Sequence, residues 1–449
     1  MTVPHNLLRW LELILLERYG TPFSLQVHQD KWVMTVPDHV RCIEVMRTNT
    51  SFESASHDIP CTHWNARDSG FEAPIADTLP APGATRLAEP LVSEVDTGFR
   101  VGYDFLALAA WMMTRQEEIG AEERDRHGRF PAVASHAYRH GYLERPVVDE
   151  WFLVLQALIH RVWPSLPIKQ QMFKQVVSHD VDEPSFAAFA SRSRLIRRII
   201  GDAVRVGRLS SLVDLLRIRH ESRSQISKRE PFNTFDWLMD QSERRGLKSS
   251  FYFICGRTVP ARDALYEIEH PAIRDLLRRT HSRGHEIGLH PSYGTYQSPE
   301  LIANEAARLR RVCAEEGIEQ PIWGGRMHYL RWEHPTTMHG WELAKMTYDS
   351  TLGYADNPGF RCGTCFEYPA FDSTRDEALN LRIRPLIAMD QTFIGSHYLN
   401  LGLGQAAIER FSTLKDACKR VGGSFTLLWH NSLLPTQAER RLYEAVLDA

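Results

Sequence analysis

Residues 176–184 read Val-Val-Ser-His-Asp-Val-Asp-Glu-Pro, a short apolar run that ends on a histidine and two aspartates. Side chains alternate across a strand, so Asp180 and Asp182 point to one side while His179 and Val181 point to the other. Two carboxylates sharing one site push one pKa upward unless a cation sits beside them. A metal held by one aspartate, with the other free to accept a proton from water, relieves the repulsion and supplies a hydrolytic nucleophile. Taken alone, a D-x-D ahead of proline suits a surface turn with a capping aspartate better. The rest of the chain has to decide between them.

Around this stretch, from about residue 172, short apolar runs alternate with amphipathic helical patterns. Strands are expected near 174–180, 250–255, 285–290, 321–327, 346–349, 383–389 and 424–430, with helices over 271–283, 299–316, 334–345 and 405–421 between them. Seven strands, each followed by a crossover, describe an α/β fold with a parallel sheet, most economically a β/α barrel, because right-handed crossovers all turn the same way. The N-terminal part has a different texture. Leu7–Gly20 predicts an amphipathic helix ended by Gly20, and residues 103–116 and 146–162 carry apolar side chains on a helical period. Glu122–Pro131 is a charged connection, and residues 50–100 read as loops and short strands rich in Pro, Ser, Thr, Asp and Gly.

Three further clusters fall at the C-terminal ends of expected strands, where barrel enzymes build their sites. In GHEIGLHPSY (284–293), His285 and His290 lie five residues apart and so on opposite faces of a strand; His290, at the strand's end, is the ligand candidate and His285 a hydrogen-bonded core residue. In GGRMHYLRW (324–332), two glycines allow a close backbone approach and two arginines flank His328. In LLWHNS (427–432), the last expected strand ends on His430.

Bulk composition narrows the partners. The chain has 449 residues, 43% of them hydrophobic, and a net charge of −3, which argues against nucleic acid. Its seven scattered cysteines do not form a secreted disulfide framework, and the Cys362/Cys365 pair lacks the further ligands of a structural zinc site. Charges interrupt the N-terminal helix, so neither a secretory leader nor a transmembrane span is expected and the cytoplasm is the expected compartment. A basic stretch over 191–229, with Arg192, Arg194, Arg197, Arg198, Arg205 and Arg208, reads as a solvated helical face or as one that approaches anionic glycan or membrane.

The order SHDVD, GHEIGLH, GGRMHYLRW, LLWHNS resembles the polysaccharide deacetylase family, metal-dependent carbohydrate esterases on a distorted seven-stranded β/α barrel. The resemblance covers roughly residues 172–435. It implies a barrel over 172–449, and residues 1–165 resemble an uncharacterised, smaller mixed α/β domain that precedes such barrels in some bacterial proteins. Carried over, it makes Asp180 the general base, Asp182 and His290 metal ligands, and His430 the general acid for the leaving amine. The family's H-[ST]-x-x-H has Gly294 in place of its second histidine here, and His328 is the expected replacement ligand. Within 326–330, similar to the family's R-P-P-Y-G loop, Arg326 would steer the base and the Tyr329 N–H would face the oxyanion, with Arg331 a second choice for the arginine. The implied cofactor is a divalent metal, zinc first, and the implied substrate an N-acetylated amino sugar of a surface polysaccharide or its precursor, met in the cytoplasm. Trp332, Tyr293 and Trp429 are candidates for stacking on sugar rings or for the core, and the run 348–364 is expected to be a substrate loop containing Asp349 and Arg361. Asp390 would orient a catalytic group or cap a helix. Two other readings stay open: a glycan-binding or assembly protein on a degenerate barrel, motivated by Gly294, and an imidase-like hydrolase of another C–N bond.

Overall fold

A computed structural model of the chain describes residues 4–47, 52, 59–185, 187–190, 195 and 212–449, with backbone alone at 212–214; the arginines at 192–208 noted above lie outside the described residues. The N-terminal region opens with a helix, His5–Tyr19, stopped by Gly20 in the left-handed conformation (φ 74°). Strands β1 (Ser24–His28), β2 (Lys31–Thr35), β3 (Cys42–Met46), β6 (Val92–Val95) and β7 (Gly98–Val101) form a sheet in the order β1-β2-β3-β7-β6, and β4 (Cys61–Asn65) pairs with β5 (Thr78–Pro82) as a separate ribbon. The helices expected on the 3.6 period are Phe105–Met113 and Val147–Val162.

The larger sheet holds β8 (Lys174–Val181), β9 (Ser249–Ile254), β10 (Glu286–His290), β11 (Gly324–Gly325), β12 (Tyr348–Asp349), β13 (Tyr368–Asp372), β14 (Glu377–Ile383), β15 (Ala388–Met389) and β16 (Ser424–Leu428). Its order is β13-β14-β12-β11-β10-β9-β8-β16-β15, with every pairing parallel except that of β13. Intervening helices, among them Pro271–Ser282, Pro299–Glu315 and Gln405–Arg420, supply the crossovers.

The parallel α/β sheet is as expected, but its closure differs. The run 383–389 is not one strand: it contains the end of β14, a connection and β15, which stand at opposite ends of the parallel set. Four residues cannot bridge a flat sheet of that width. The sheet therefore curls, and the connection stitches its edges: Arg384 N–H donates to the Asp349 carbonyl (2.9 Å) and Ile387 N–H to that of Thr426 (3.1 Å). Among the described residues no strand pairing closes the ring, which makes this an open, curled nine-stranded sheet rather than a closed seven-stranded barrel.

One apolar core runs through both regions. Trp10 on the first helix donates to the Pro369 carbonyl (2.8 Å) and packs on Phe371. The run 348–364 is part of this seam, which corrects the expectation of a substrate loop. Phe360 N–H donates to the Leu143 carbonyl, and a Cβ on Gly359 would lie 2.5 Å from that same oxygen. The glycines and aromatic residues of the run serve close packing against the N-terminal region. At the N-terminal ends of the parallel strands a cavity of about 720 Å³ is lined by Lys174, Ser250, Glu286 and Arg384 together with Arg18 and Phe366. No helix among the described residues is long and apolar enough to cross a membrane.

Candidate active site

Because β8, β10, β11, β15 and β16 run parallel, the residues just past their ends gather at one edge of the sheet. Asp180 is the penultimate residue of β8 and Asp182 follows the strand; His290 ends β10; Arg326 and His328 follow β11; Asp390 follows β15 and His430 follows β16. The glycines of β11 make the spacing tight: a Cβ on Gly325 would lie 2.0 Å from the Leu289 carbonyl, and one on Gly324 would enter the Tyr348 ring. Their close approach is to neighbouring strands, which draws His328 toward His290.

The side chains of Asp182, His290 and His328 each turn one ligand atom inward, and these atoms lie within 4.8 Å of one another. Asp182 Oδ1 is 3.2 Å from His290 Nε2 and 3.7 Å from His328 Nε2. It is shielded from solvent and makes no hydrogen bond among the described residues. The other ring nitrogens are occupied. His290 Nδ1 donates to the Arg326 carbonyl (2.5 Å) and His328 Nδ1 to Asp263 Oδ1 (3.2 Å), which leaves both Nε2 atoms facing Asp182. A carboxylate oxygen and two imidazole Nε2 atoms, once deprotonated, are the donor set of zinc and similar cations. The three groups are also coupled electrostatically, and without an ion a proton holds them together. Burial opposes charge on His328, but the Asp182 and Asp263 carboxylates outweigh it and push its pKa up to about 9. Burial likewise opposes charge on Asp182, whose carboxyl His328 and His290 nevertheless hold well below the usual range.

Asp180 and His430 flank this cluster. Arg326, fully buried, donates to Asp180 Oδ1 (2.8 Å), to Ser178 Oγ (2.9 Å) and to the Ser350 carbonyl (2.9 Å), so Asp180 is locked in place with Oδ2 3.6 Å from His290 Nε2. His430 Nδ1 donates to Asp390 Oδ1 (2.8 Å), and Nε2 lies 3.7 Å from Asp182 Oδ2. Burial disfavours the imidazolium, but Asp390 raises the pKa to about 10. His430 therefore carries a proton at neutral pH. Asp390 thus orients an ionisable group, and the short helix Asp390–Ile394 also begins at it. Tyr329, beside His328, stands in the left-handed region (φ 62°, ψ 15°), as does Leu330 (φ 56°), two non-glycine outliers in succession at the cluster's rim.

Four other residues expected to face substrate stand elsewhere. Asp349 is wholly buried and accepts from the Thr351 N–H, Arg361 is buried in an ion pair with Glu118 (2.6 Å), and Trp332 is buried at 3% exposure. Each sits in the seam or the core because the strand ends nearest it pack against the N-terminal region. Arg331 donates to the carbonyls of His127 (2.7 Å) and Tyr293 (2.6 Å) and stacks on Tyr296, so it fastens loops together. Trp429 is core. His285 is buried and accepts from the Ser249 N–H (3.0 Å), away from the cluster. A Cβ at Gly294 would sit 3.0 Å from the Thr258 side chain, so a histidine there would have to displace Thr258. Asp263, which fixes His328, was missed by sequence reasoning: it belongs to no motif, and only its place three residues after Pro260 marks it as a turn carboxylate, accepting from Val259 N–H (2.7 Å).

A family of unknown function, DUF7033, matches residues 7–164, less than half of the chain. No curated protein matches. Among solved structures, a Mycobacterium smegmatis protein assigned as a polysaccharide deacetylase is 17% identical, with 63% of this chain and 85% of that chain covered at a TM-score of 0.39. A Pseudomonas aeruginosa PAO1 protein assigned as a polysaccharide deacetylase is 15% identical, covering 62% and 84% at 0.35, and the Puue allantoinase is 13% identical, covering 64% and 85% at 0.35. Superpositions this loose fix neither substrate nor chemistry for this chain.

Proposed function

We propose that the chain is a metal-dependent hydrolase of an amide C–N bond that removes the N-acetyl group from an amino sugar of a surface polysaccharide or its precursor. The observation that carries this reading is the convergence of the shielded Asp182 Oδ1 and the Nε2 atoms of His290 and His328 within 4.8 Å, with both Nδ1 atoms already anchored to the protein. Asp182, His290 and His328 would hold the ion, and a divalent cation there supplies Lewis acidity toward water and the acyl oxygen. The chain's own groups divide the proton traffic. Asp180, aimed by Arg326, takes the proton from the attacking water. His430, kept charged by Asp390, gives its proton to the departing nitrogen, so acetate and a free amine leave. The Tyr329 N–H serves the developing oxyanion. A base and an acid on either side of one cluster are what hydrolysis needs and what a glycan-binding surface does not.

Metal analysis of protein purified without chelators tests the reading. About one divalent ion per chain is expected, and it should be lost in both Asp182→Ala and His328→Ala. Protein that carries no ion and takes up none on addition would overturn it. Acetate released from N-acetylglucosamine oligomers, set against ring opening of a cyclic imide, separates the deacetylase from a hydrolase of another C–N bond.

A further inference from the structure

The charged connection Glu122–Pro131 is docked on the sheet. It turns at Gly128 (φ 74°), where a Cβ would lie 3.3 Å from Arg331 Nη2 and 3.4 Å from the Tyr296 hydroxyl, and it settles on the loop that carries His328. Arg129 donates to the Tyr329 carbonyl (2.9 Å), and Arg331 reaches back to the His127 carbonyl. The His127 ring lies 4.7 Å from that of Tyr329, which is itself 4.7 Å from the ring of His328. His127 Nδ1 also shares a hydrogen bond with the Tyr293 hydroxyl (3.1 Å). A segment of the N-terminal region therefore forms one wall beside the metal-ligand cluster.

Two guanidinium groups on this wall have no acidic partner among the described residues. Arg126 is exposed and donates Nε to His127 Nε2 (3.2 Å). The adjacent Asp125 carboxylate is already taken by the Arg129 side chain and by the backbone N–H groups of His127 and Arg129. Arg262 is exposed and stands 5.6 Å and 5.7 Å from the ring centroids of Tyr293 and Tyr329. The adjacent Asp263 carboxylate is committed to His328, Thr258 and the backbone N–H groups of Tyr293 and Val259. The positive field is felt locally: burial, then Arg129, with Arg262 and Arg126 adding and Asp125 opposing, lowers His127 to about 4. Planar guanidinium groups, Arg262 near the Tyr293 and Tyr329 rings and Arg126 held at the His127 ring nitrogen, match a carboxylate or phosphate attached to a ring.

We propose that Arg126 and Arg262, with the rings of His127, Tyr293 and Tyr329, form a subsite for an anionic substituent, so that the amino sugar taken by this cleft is acidic. The proposal rests on the hydrolase reading for its substrate class, but its test is read as binding. Full-length protein loaded with zinc is titrated calorimetrically with N-acetylglucosamine, N-acetylmuramic acid and N-acetylglucosamine 1-phosphate. At least one acidic sugar should bind about tenfold or more tightly than the neutral one, as charge-assisted hydrogen bonds to arginine allow. The two acidic sugars tell carboxylate from phosphate. The double variant Arg126→Ala/Arg262→Ala should bring the acidic sugar to the neutral level, leaving the neutral sugar's affinity and the metal content unchanged. Equal affinity for all three sugars, no binding by any of them, or a preference that survives the double variant would overturn it. Loss of metal binding alone would defeat the hydrolase reading and leave the charge preference measurable.

Discussion

The two ends of the parallel sheet are both lined with charge, and they use it differently. At the N-terminal ends, around the large cavity, the charges close on one another. Arg382 meets Glu17 (2.9 Å) and Glu367 (2.6 Å), Arg384 meets Glu367 (2.8 Å) and covers the Tyr348 ring, and Arg18 meets Asp149 (3.2 Å). At the C-terminal ends Arg326 and Asp180 close in the same way, but Asp182 meets only the Nε2 atoms of two anchored imidazoles, groups that can give up their protons to become ligands. The first end holds a cavity of about 720 Å³; converging carboxylate and imidazole atoms mark the second. Arginine–carboxylate pairs hold elements together, whereas a carboxylate that converges with two anchored imidazoles is a candidate site.

The sharpest way to break this contrast is at Arg326. Its removal strands the buried Asp180 carboxylate and takes donors from Ser178 and the Ser350 carbonyl, so Arg326→Ala should cost about 3–5 kcal/mol of stability, measured by chemical denaturation. Asp180→Asn keeps the shape and removes only the base. Hydrolysis should fall about 10²–10⁴-fold in kcat with metal content unaltered. A variant that loses metal as well would place Asp180 among the ligands, and the division of labour between the two aspartates would fail.

Much of the site was legible because parallel strands force their C-terminal ends to one edge, so a residue's place at a strand end already predicts its neighbours. Asp180, Asp182, His290 and His430 are of this kind, and the D-x-D alternation put both aspartates toward His290. What could not be read depends on contacts between distant segments. The glycine-rich run 348–364 looked like a loop over a cleft, yet Gly359 and Arg361 answer to Leu143 and Glu118 of the N-terminal region. Asp263 and His127 act through partners 65 and 166 residues away, and no local period encodes such pairings. The split of 383–389 escaped for the same reason, because only the curl of the whole sheet sets its two ends apart.

A third test asks whether unmatched charge at the C-terminal end extends below the ligands. Glu305 is buried and accepts from the N–H (2.9 Å) and hydroxyl (2.5 Å) of Ser292, and burial raises its pKa from 4.5 to about 7. A folded pKa above the unfolded one means that its contribution to stability is fully present below about pH 4.5 and is lost as the pH rises through about 7. Denaturation profiles should therefore show Glu305→Gln gaining on the wild type by roughly 2–3 kcal/mol between pH 5 and pH 8. A difference that does not change with pH would mean that the carboxylate is already matched.

The smallest expected effect lies at the other end. Arg382 is 29% exposed and Glu17 36%, so water screens their pair, and holding two long side chains in one geometry costs entropy. Arg382→Ala leaves Glu17 free to turn to solvent, while Glu367 keeps Arg384 as its partner. The expected loss is about 1 kcal/mol or less, shrinking further as salt is raised. Because Arg326 and Arg382 are both arginines bound to carboxylates, their difference isolates burial and the absence of a second partner. A loss at Arg382 as large as that at Arg326, and insensitive to salt, would show that the charges around the cavity are as tightly coupled as those at the ligand cluster, and that the contrast between the two ends rests on Asp182 alone.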